Sequence, residues 1–255
     1  MNAGARKFLL VIRFSILRML RDPVSTIILL GIPLPLIPIL GAIFSNIPAD
    51  ASYLKGAPNM MTFVATGMIV MFQLFSGRYS MDGTKDSLLS VRKWRIIAAP
   101  CAPGVHVMGI LAASTLVSML QGFLLVAFTR LALDVRWGSI GVVVLVLLGC
   151  SLLAQLVNLA LLLATRNYGA SATLGWMFAW GSAALGGLIF PLPTDRPFWR
   201  FMVTWGTPYS LAQTAVINGA GSGSRTDIAM CLGALFALSA LLALVVILLG
   251  RRRLA

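Results

Sequence analysis

The chain has 255 residues, of which 59% are hydrophobic and 11% charged, with 20 Lys and Arg against 7 Asp and Glu for a formal charge of +13. A soluble domain of this length carries about a quarter charged residues, so a water-soluble globular class is excluded. The basic excess does not point to nucleic acid, because the cations flank apolar runs and form no soluble basic face.

The first predicted element is an amphipathic helix. Residues 6–21 read RKFLLVIRFSILRMLR, and on a helical wheel Arg6, Lys7, Arg13, Arg18 and Arg21 fall within an arc of about 140°. Phe8, Leu9, Ile12, Ile16, Met19 and Leu20 fill the opposite face without a charge among them. Such a helix lies in the headgroup plane with its cations among anionic lipids. Pro23 suits the first turn of a new helix, where a missing N–H costs nothing, so Arg21-Asp22-Pro23 marks the turn from lying on the membrane to crossing it. Ala49-Asp50-Ala51 mimics a signal-peptide cleavage site, but the apolar run 24–44 before it is too long for a signal core.

Six stretches come near the roughly 20 apolar residues a membrane crossing needs: 24–44, 60–77, 105–129, 138–164, 170–190 and 228–249. The second is the shortest, with a possible extension to Ser80. The expected fold is all-α and integral to the membrane, with an interface helix over residues 1–22 and a six-span domain over 23–255. With the N-terminus inside, Lys55, Arg130, Arg136, Arg196, Arg200 and Arg225 lie outside and the other 14 cations inside. That bias predicts a multi-pass protein of the cytoplasmic membrane with both termini cytoplasmic. The middle of every span is free of ionisable residues. Ion-coupled carriers keep such groups at the midplane, and membrane enzymes need them for chemistry, so the energy source is expected on another subunit.

Between spans 2 and 3, residues 78–104 read RYSMDGTKDSLLSVRKWRIIAAPCAPG. Asp82 is expected to cap a helix over 84–97, with Gly83 easing the turn and Ala98-Ala99-Pro100 ending it. Leu88, Leu89 and Val91, followed by Arg92, Lys93, Trp94 and Arg95, read equally as a basic surface loop or as a helix that docks into a soluble motor subunit. In span 3 Ser114, Ser118 and Gln121, and in span 4 Ser151, Gln155 and Asn158, follow i, i+4, i+7, so each set lies on one helix face. Gln73 adds an amide in span 2. Interhelical hydrogen bonding, about 0.6–2 kcal/mol per bond, is the favoured reading. The alternative is a substrate pathway lined by Phe72, Gln73, Phe75, Gln121, Gln155, Trp176 and Trp180. Ser171, Gly175, Ala179, Ala183 and Gly187 form a small-residue ridge in span 5, suited to close packing within the subunit or across a dimer axis. In the outer segment 191–227, Phe198, Trp199, Phe201, Trp205 and Tyr209 are expected as interfacial anchors, or alternatively an outer gate, and Gly219 to Gly223 as a flexible linker. Cys101, Cys150, Cys231 and His106 are too scattered for a metal site or disulfide frame.

Taken in order, these features resemble the membrane subunits of type-2 ATP-binding-cassette exporters. Arg21-Asp22-Pro23 leads into a first span with Pro33, Pro35 and Pro38. Asp82-Gly83-Thr84, Leu88-Leu89 and Ala98-Ala99-Pro100 look like the family's acidic-Gly-Thr, Leu-Leu, small-Pro pattern. Gly109 falls at the family's Gly-Lys, with Ile110 in place of the lysine. Phe190-Pro191, Pro197-Phe198-Trp199 and Trp205-Gly206-Thr207-Pro208-Tyr209 are similar to the family's outer segment. The resemblance implies an export permease working as a dimer with the same or a homologous chain, driven by two ATPase subunits that hold ATP and Mg. It places ATPase coupling on Asp82, Gly83, Thr84, Leu88, Leu89, Arg92 and Trp94, and on the interface-helix residues Arg13, Arg18, Arg21, Asp22 and Pro23. None of the four lysines follows a glycine, so a phosphate-binding loop is absent from the sequence. The chain is therefore expected to be a transport subunit rather than an enzyme, with no cofactor of its own. The expected cargo is a hydrophobic or amphiphilic compound such as a drug, antibiotic or lipid. Polysaccharide or lipid-linked glycan export is the runner-up, and a membrane enzyme or ATP-independent carrier the reading from another class.

Overall fold

A computed structural model describes residues 3–45, 56–89, 103–189, 192–193, 195–221 and 223–254, and the secondary structure among them is entirely helical. Helix α1 (Ala3–Leu20) ends two residues before Asp22, which caps α2 (Pro23–Thr26). The Asp22 carboxylate accepts from the Val24 N–H (3.1 Å) and the Ser25 hydroxyl (2.5 Å), and its carbonyl from the Thr26 hydroxyl (2.9 Å). Pro23 occupies the first turn, as its missing N–H favours. A π-helical turn, Ile27–Gly31, then leads into α3 (Pro33–Ser45). The Ile32 N–H reaches the Ile27 carbonyl (2.9 Å) just before Pro33 removes the next donor.

Helix α4 (Met60–Phe75) starts at Asn59, whose side chain accepts from the Thr62 N–H (2.7 Å). After a short step at Ser76 and Gly77 the chain continues as α5 (Arg78–Thr84) and a π-helical turn, Lys85–Leu89. The second apolar helix therefore runs from Met60 to Ser87, well past its expected end at 77. Asp82 lies inside this extension and caps nothing, and Gly83 sits in the helix rather than in a turn. There follow α6 (Pro103–Ala132), α7 (Ile140–Thr165), α8 (Tyr168–Leu185), α9 (Pro197–Phe201), a π-helical turn Met202–Gly206, α10 (Pro208–Ala220) and α11 (Arg225–Leu254).

Among the described residues, five helices are long and apolar enough to cross a membrane: Pro23–Phe44, Met60–Ser87, Gly104–Ala132, Ile140–Thr165 and Arg225–Arg251. The expected fifth span, 170–190, corresponds to α8, whose 18 residues reach about 27 Å. Its ridge residues Ser171, Gly175, Ala179 and Ala183 are buried, while Gly187 lies past the helix end with φ 83°.

Helix α4 is the axis of the bundle. It packs against α3, α6, α7, α8 and α10, and nearly every one of its residues is buried because none carries a charge that would demand water. Helix α10, about 20 Å long, dips into the bundle against α4, α7, α8 and α11. Tyr209 is fully buried there, which overturns its reading as an interfacial anchor; Phe198 and Phe201 of α9 do stand exposed. Gly219 belongs to α10, and its carbonyl accepts from the Ser139 N–H (3.2 Å), so the linker begins only after it. A second, smaller core of Leu111, Leu156, Leu159, Leu163 and Val246 joins α6, α7 and α11.

Candidate functional site

Both segments proposed for coupling meet at one end of the bundle. Helix α1 packs on α6, where a side chain at Gly109 would run into Val11, and one at Gly83 of α5 would run into Ile110. Between α1, α5, the Lys85–Leu89 turn and α6 lies a cavity of about 560 Å³ whose polar wall includes Arg18, Asp22, Asp82, Asp86, Tyr79 and Tyr168. Arg18 forms an ion pair with Asp86 across 68 residues of sequence, with side chains 48% and 38% exposed. Exposed pairs of this kind are worth only about 0–1 kcal/mol, so this one sets position more than stability. Arg13 and Arg21 point outward, and Thr84 is buried. The backbone of Leu88 and Leu89 is in the π-helical turn. Arg92, Trp94 and Ala98-Ala99-Pro100 lie outside the described residues.

Asp82 is held from two sides. Arg78 Nε donates to one carboxylate oxygen (3.3 Å) and the Tyr168 hydroxyl to the other (2.5 Å). Lys85 Nζ lies over the Tyr168 ring, 3.8 Å from its centroid. Burial pushes the Tyr168 phenol up from its ordinary pKa, and the hydrogen bond and charge of Asp82 push it further, so it stays a donor. Tyr168 is the member of this cluster that the sequence reading missed: no spacing ties it to Asp82, 86 residues away.

The polar stripes of α6 and α7 face each other across α4. Gln73 Nε2 donates to the Ser118 carbonyl (3.0 Å), and its Oε1 accepts from the hydroxyls of Ser118 (2.6 Å) and Ser151 (2.8 Å). Gln155 does something more specific. Its Nε2 donates to the Ser76 carbonyl (3.0 Å) while its Oε1 accepts from the Ser80 N–H (3.0 Å). One side chain thus stands in for the i to i+4 backbone bond that the α4–α5 step leaves open. Gln121 Nε2 donates to the Tyr79 hydroxyl (2.6 Å). These three amides are buried and hydrogen-bonded between helices rather than set along an open passage.

The four aromatic candidates sit elsewhere, on one wall of a groove of about 390 Å³ between the first span, α4 and α8. Phe75 is the hub, with ring centroids 4.9 Å from Trp176 and 5.8 Å from both Trp180 and Phe72. Phe72 and Phe75 are buried, but Trp176 and Trp180 are 39% and 46% exposed. The first span faces them with Ile28, Ile32, Leu36, Leu40 and Phe44, spaced four apart. That row covers about 24 Å, most of the roughly 30 Å hydrocarbon thickness. Every side chain that lines the groove is apolar.

A family model described as ABC-2 type transporter matches residues 6–220, from the interface helix to the end of α10. Neither a curated protein nor a solved structure matches the chain.

Proposed function

The chain belongs to the ABC-2 type transporter family, a multi-pass membrane component of an ATP-binding-cassette exporter, and we propose that its cargo is a hydrophobic or amphiphilic compound, such as a drug, antibiotic or lipid, moved outward across the cytoplasmic membrane. Membrane domains of this family are transport subunits whose ATPase is separate. We place two ATPase copies, with their ATP and Mg, beneath a dimer of permease chains, with both termini of each chain cytoplasmic. The ATPases would bear on the cavity that joins Arg18, Asp22, Asp82 and Asp86.

The observation that carries the cargo reading is the groove along the first span. It is apolar over most of the hydrocarbon depth, and Trp176 and Trp180 stand at its open side. A glycan would leave its hydroxyls without partners against such a wall, at about 1–3 kcal/mol for each group stranded, whereas an acyl chain or aromatic drug loses nothing. Co-purification with the ATPase, reconstitution into liposomes and a screen of cargo-stimulated ATP hydrolysis test the proposal. Amphiphiles are expected to stimulate, and Phe75→Ala with Trp176→Ala and Trp180→Ala to abolish the stimulation while leaving basal hydrolysis. Stimulation by glycans alone, or an unchanged response in the triple variant, would refute it.

A further inference from the structure

A second groove lies on the other side of the bundle, at the end that carries α1. It has a volume of about 450 Å³ and is walled by Val107 and Met108 of α6, Leu159 and Leu163 of α7, and Val246 and Ile247 of α11. Each helix gives it about one turn, some 6 Å of depth. Two residues with polar side chains, Arg251 and Thr84, are among those that line this apolar slot. Arg251 is exposed, and neither of the ion pairs Arg18–Asp86 and Arg78–Asp82 involves it. Thr84 is the other. Thr84 is 1% exposed, and its Oγ1 has no hydrogen-bond partner among the described residues. A buried hydroxyl left unpaired is costly, and most such groups in folded proteins find a partner.

From this juxtaposition of Arg251 and Thr84 in an apolar slot we infer that the groove is a binding site for one anionic phospholipid, independent of the cargo groove and of the cargo's identity. The guanidinium takes the phosphate. The Thr84 hydroxyl donates to a glycerol or ester oxygen. The first methylenes of one acyl chain fill the slot between α6, α7 and α11, and the rest of the chain continues along the exposed apolar side chains of Leu241, Leu244 and Leu248 on α11. A free phosphate would satisfy Arg251 but leave the apolar slot unfilled, and a zwitterionic lipid would fill the slot but bring its own cation beside the guanidinium and so cancel the attraction of its phosphate.

Native mass spectrometry of the full-length protein tests this, by titrating phosphatidylglycerol and phosphatidylcholine with identical chains, with glycerol phosphate as a third arm. Wild type is expected to retain one phosphatidylglycerol in preference to phosphatidylcholine and to show no binding of glycerol phosphate. Arg251→Gln is expected to lower the preference about fivefold, the worth of one cation near an anionic headgroup. Thr84→Val keeps the shape and is expected to cost about threefold in phosphatidylglycerol affinity. Because the hydroxyl has no protein partner to lose, the substitution should not lower thermal stability in phosphatidylcholine, whereas loss of a structural hydrogen bond would. Val107→Trp fills the slot and should reduce retention of both lipids. Equal retention of the two lipids by wild type would overturn the site. So would a preference that survives Arg251→Gln and disappears only when Arg252→Gln and Arg253→Gln are combined, because that is the signature of a diffuse basic tail.

Discussion

Replacing Gln155 with methionine keeps the length of the side chain and removes both of its polar atoms. In the folded protein those atoms close the gap between the Ser76 carbonyl and the Ser80 N–H. The Ser76 carbonyl keeps a second donor, the Tyr79 N–H at 3.0 Å, but the Ser80 N–H loses its acceptor in a fully buried position. Interhelical bonds in membrane proteins average about 0.6 kcal/mol each, so two of them supply about 1 kcal/mol. Stranding a buried N–H adds about 1–3 kcal/mol, for a total of about 2–4 kcal/mol. At 1.4 kcal/mol per decade, local opening of the α4–α5 step should become about 30- to 700-fold more frequent. Hydrogen–deuterium exchange of a peptide spanning residues 76–84, measured in nanodiscs, reads this directly. Gln121→Met is the control, because Gln121 gives a single side-chain bond to Tyr79 and closes no backbone gap. If Gln155→Met exchanges no faster at Ser80 than wild type, or no faster than the control, the amide does not act as a backbone staple and the step is held by packing alone.

Tyr168→Phe keeps the ring under Lys85 and removes the hydroxyl that bonds Asp82; a bond to a charged group is worth about 1.5–3 kcal/mol, and the expected result is a several-fold fall in cargo-stimulated over basal ATP hydrolysis, with the fold intact by gel filtration. Arg18→Glu is expected to lower coupling and Arg18→Glu with Asp86→Arg to restore it, with a double-mutant-cycle energy of no more than about 1 kcal/mol that shrinks as salt is raised, because both side chains are partly exposed. Gly175→Leu drives a side chain into Asn158 and should lower thermal stability by about 1–3 kcal/mol, with part recovered by Asn158→Ala; a neutral effect would mean that α8 and α7 do not meet at the ridge.

Much of the fold was legible because apolar periodicity and chain terminators are local signals. Asp22 capping a helix that begins at Pro23 follows from two adjacent residues, and the facing stripes of Ser118 with Ser151 follow from spacing. What failed did so for tertiary reasons. Asp82 has the chemistry of a cap, but the helix runs through it because Gln155 closes the break upstream and Arg78 and Tyr168 occupy its carboxylate. Tyr209 has the chemistry of an interfacial anchor, but α10 folds inward and carries it to the centre of the bundle. The seven pathway candidates divide the same way. A glutamine and a tryptophan at similar depth look alike in a sequence, and only packing separates Gln73 in a hydrogen-bonded seam from Trp180 on an open groove.

The two sites share their supports. From Asp82 to Phe75 is seven residues along α5 and α4, and from Tyr168 to Trp176 is eight along α8, so two helices lead from the Asp82–Tyr168 bond to the Phe75–Trp176 contact over nearly equal lengths of about 10–12 Å. A displacement applied at the bond moves both helices together and keeps the aromatic contact closed. The opposite wall has a different support: the first span hangs from Asp22, α1 and the Arg18–Asp86 pair, and its backbone hydrogen-bond ladder is interrupted at the π-helical turn and at Pro38. Opening the groove therefore requires the first span to move against a pair formed by α4 and α8, rather than those two to part. Spin labels at exposed Ile39 on α3 and Met177 on α8 should change separation by several ångströms when the assembled exporter binds ATP, while labels at Leu145 on α7 and Met177 should not, because α7 and α8 pack directly. A change in the second pair equal to that in the first would mean that α8 moves alone, and the shared-lever account would be wrong.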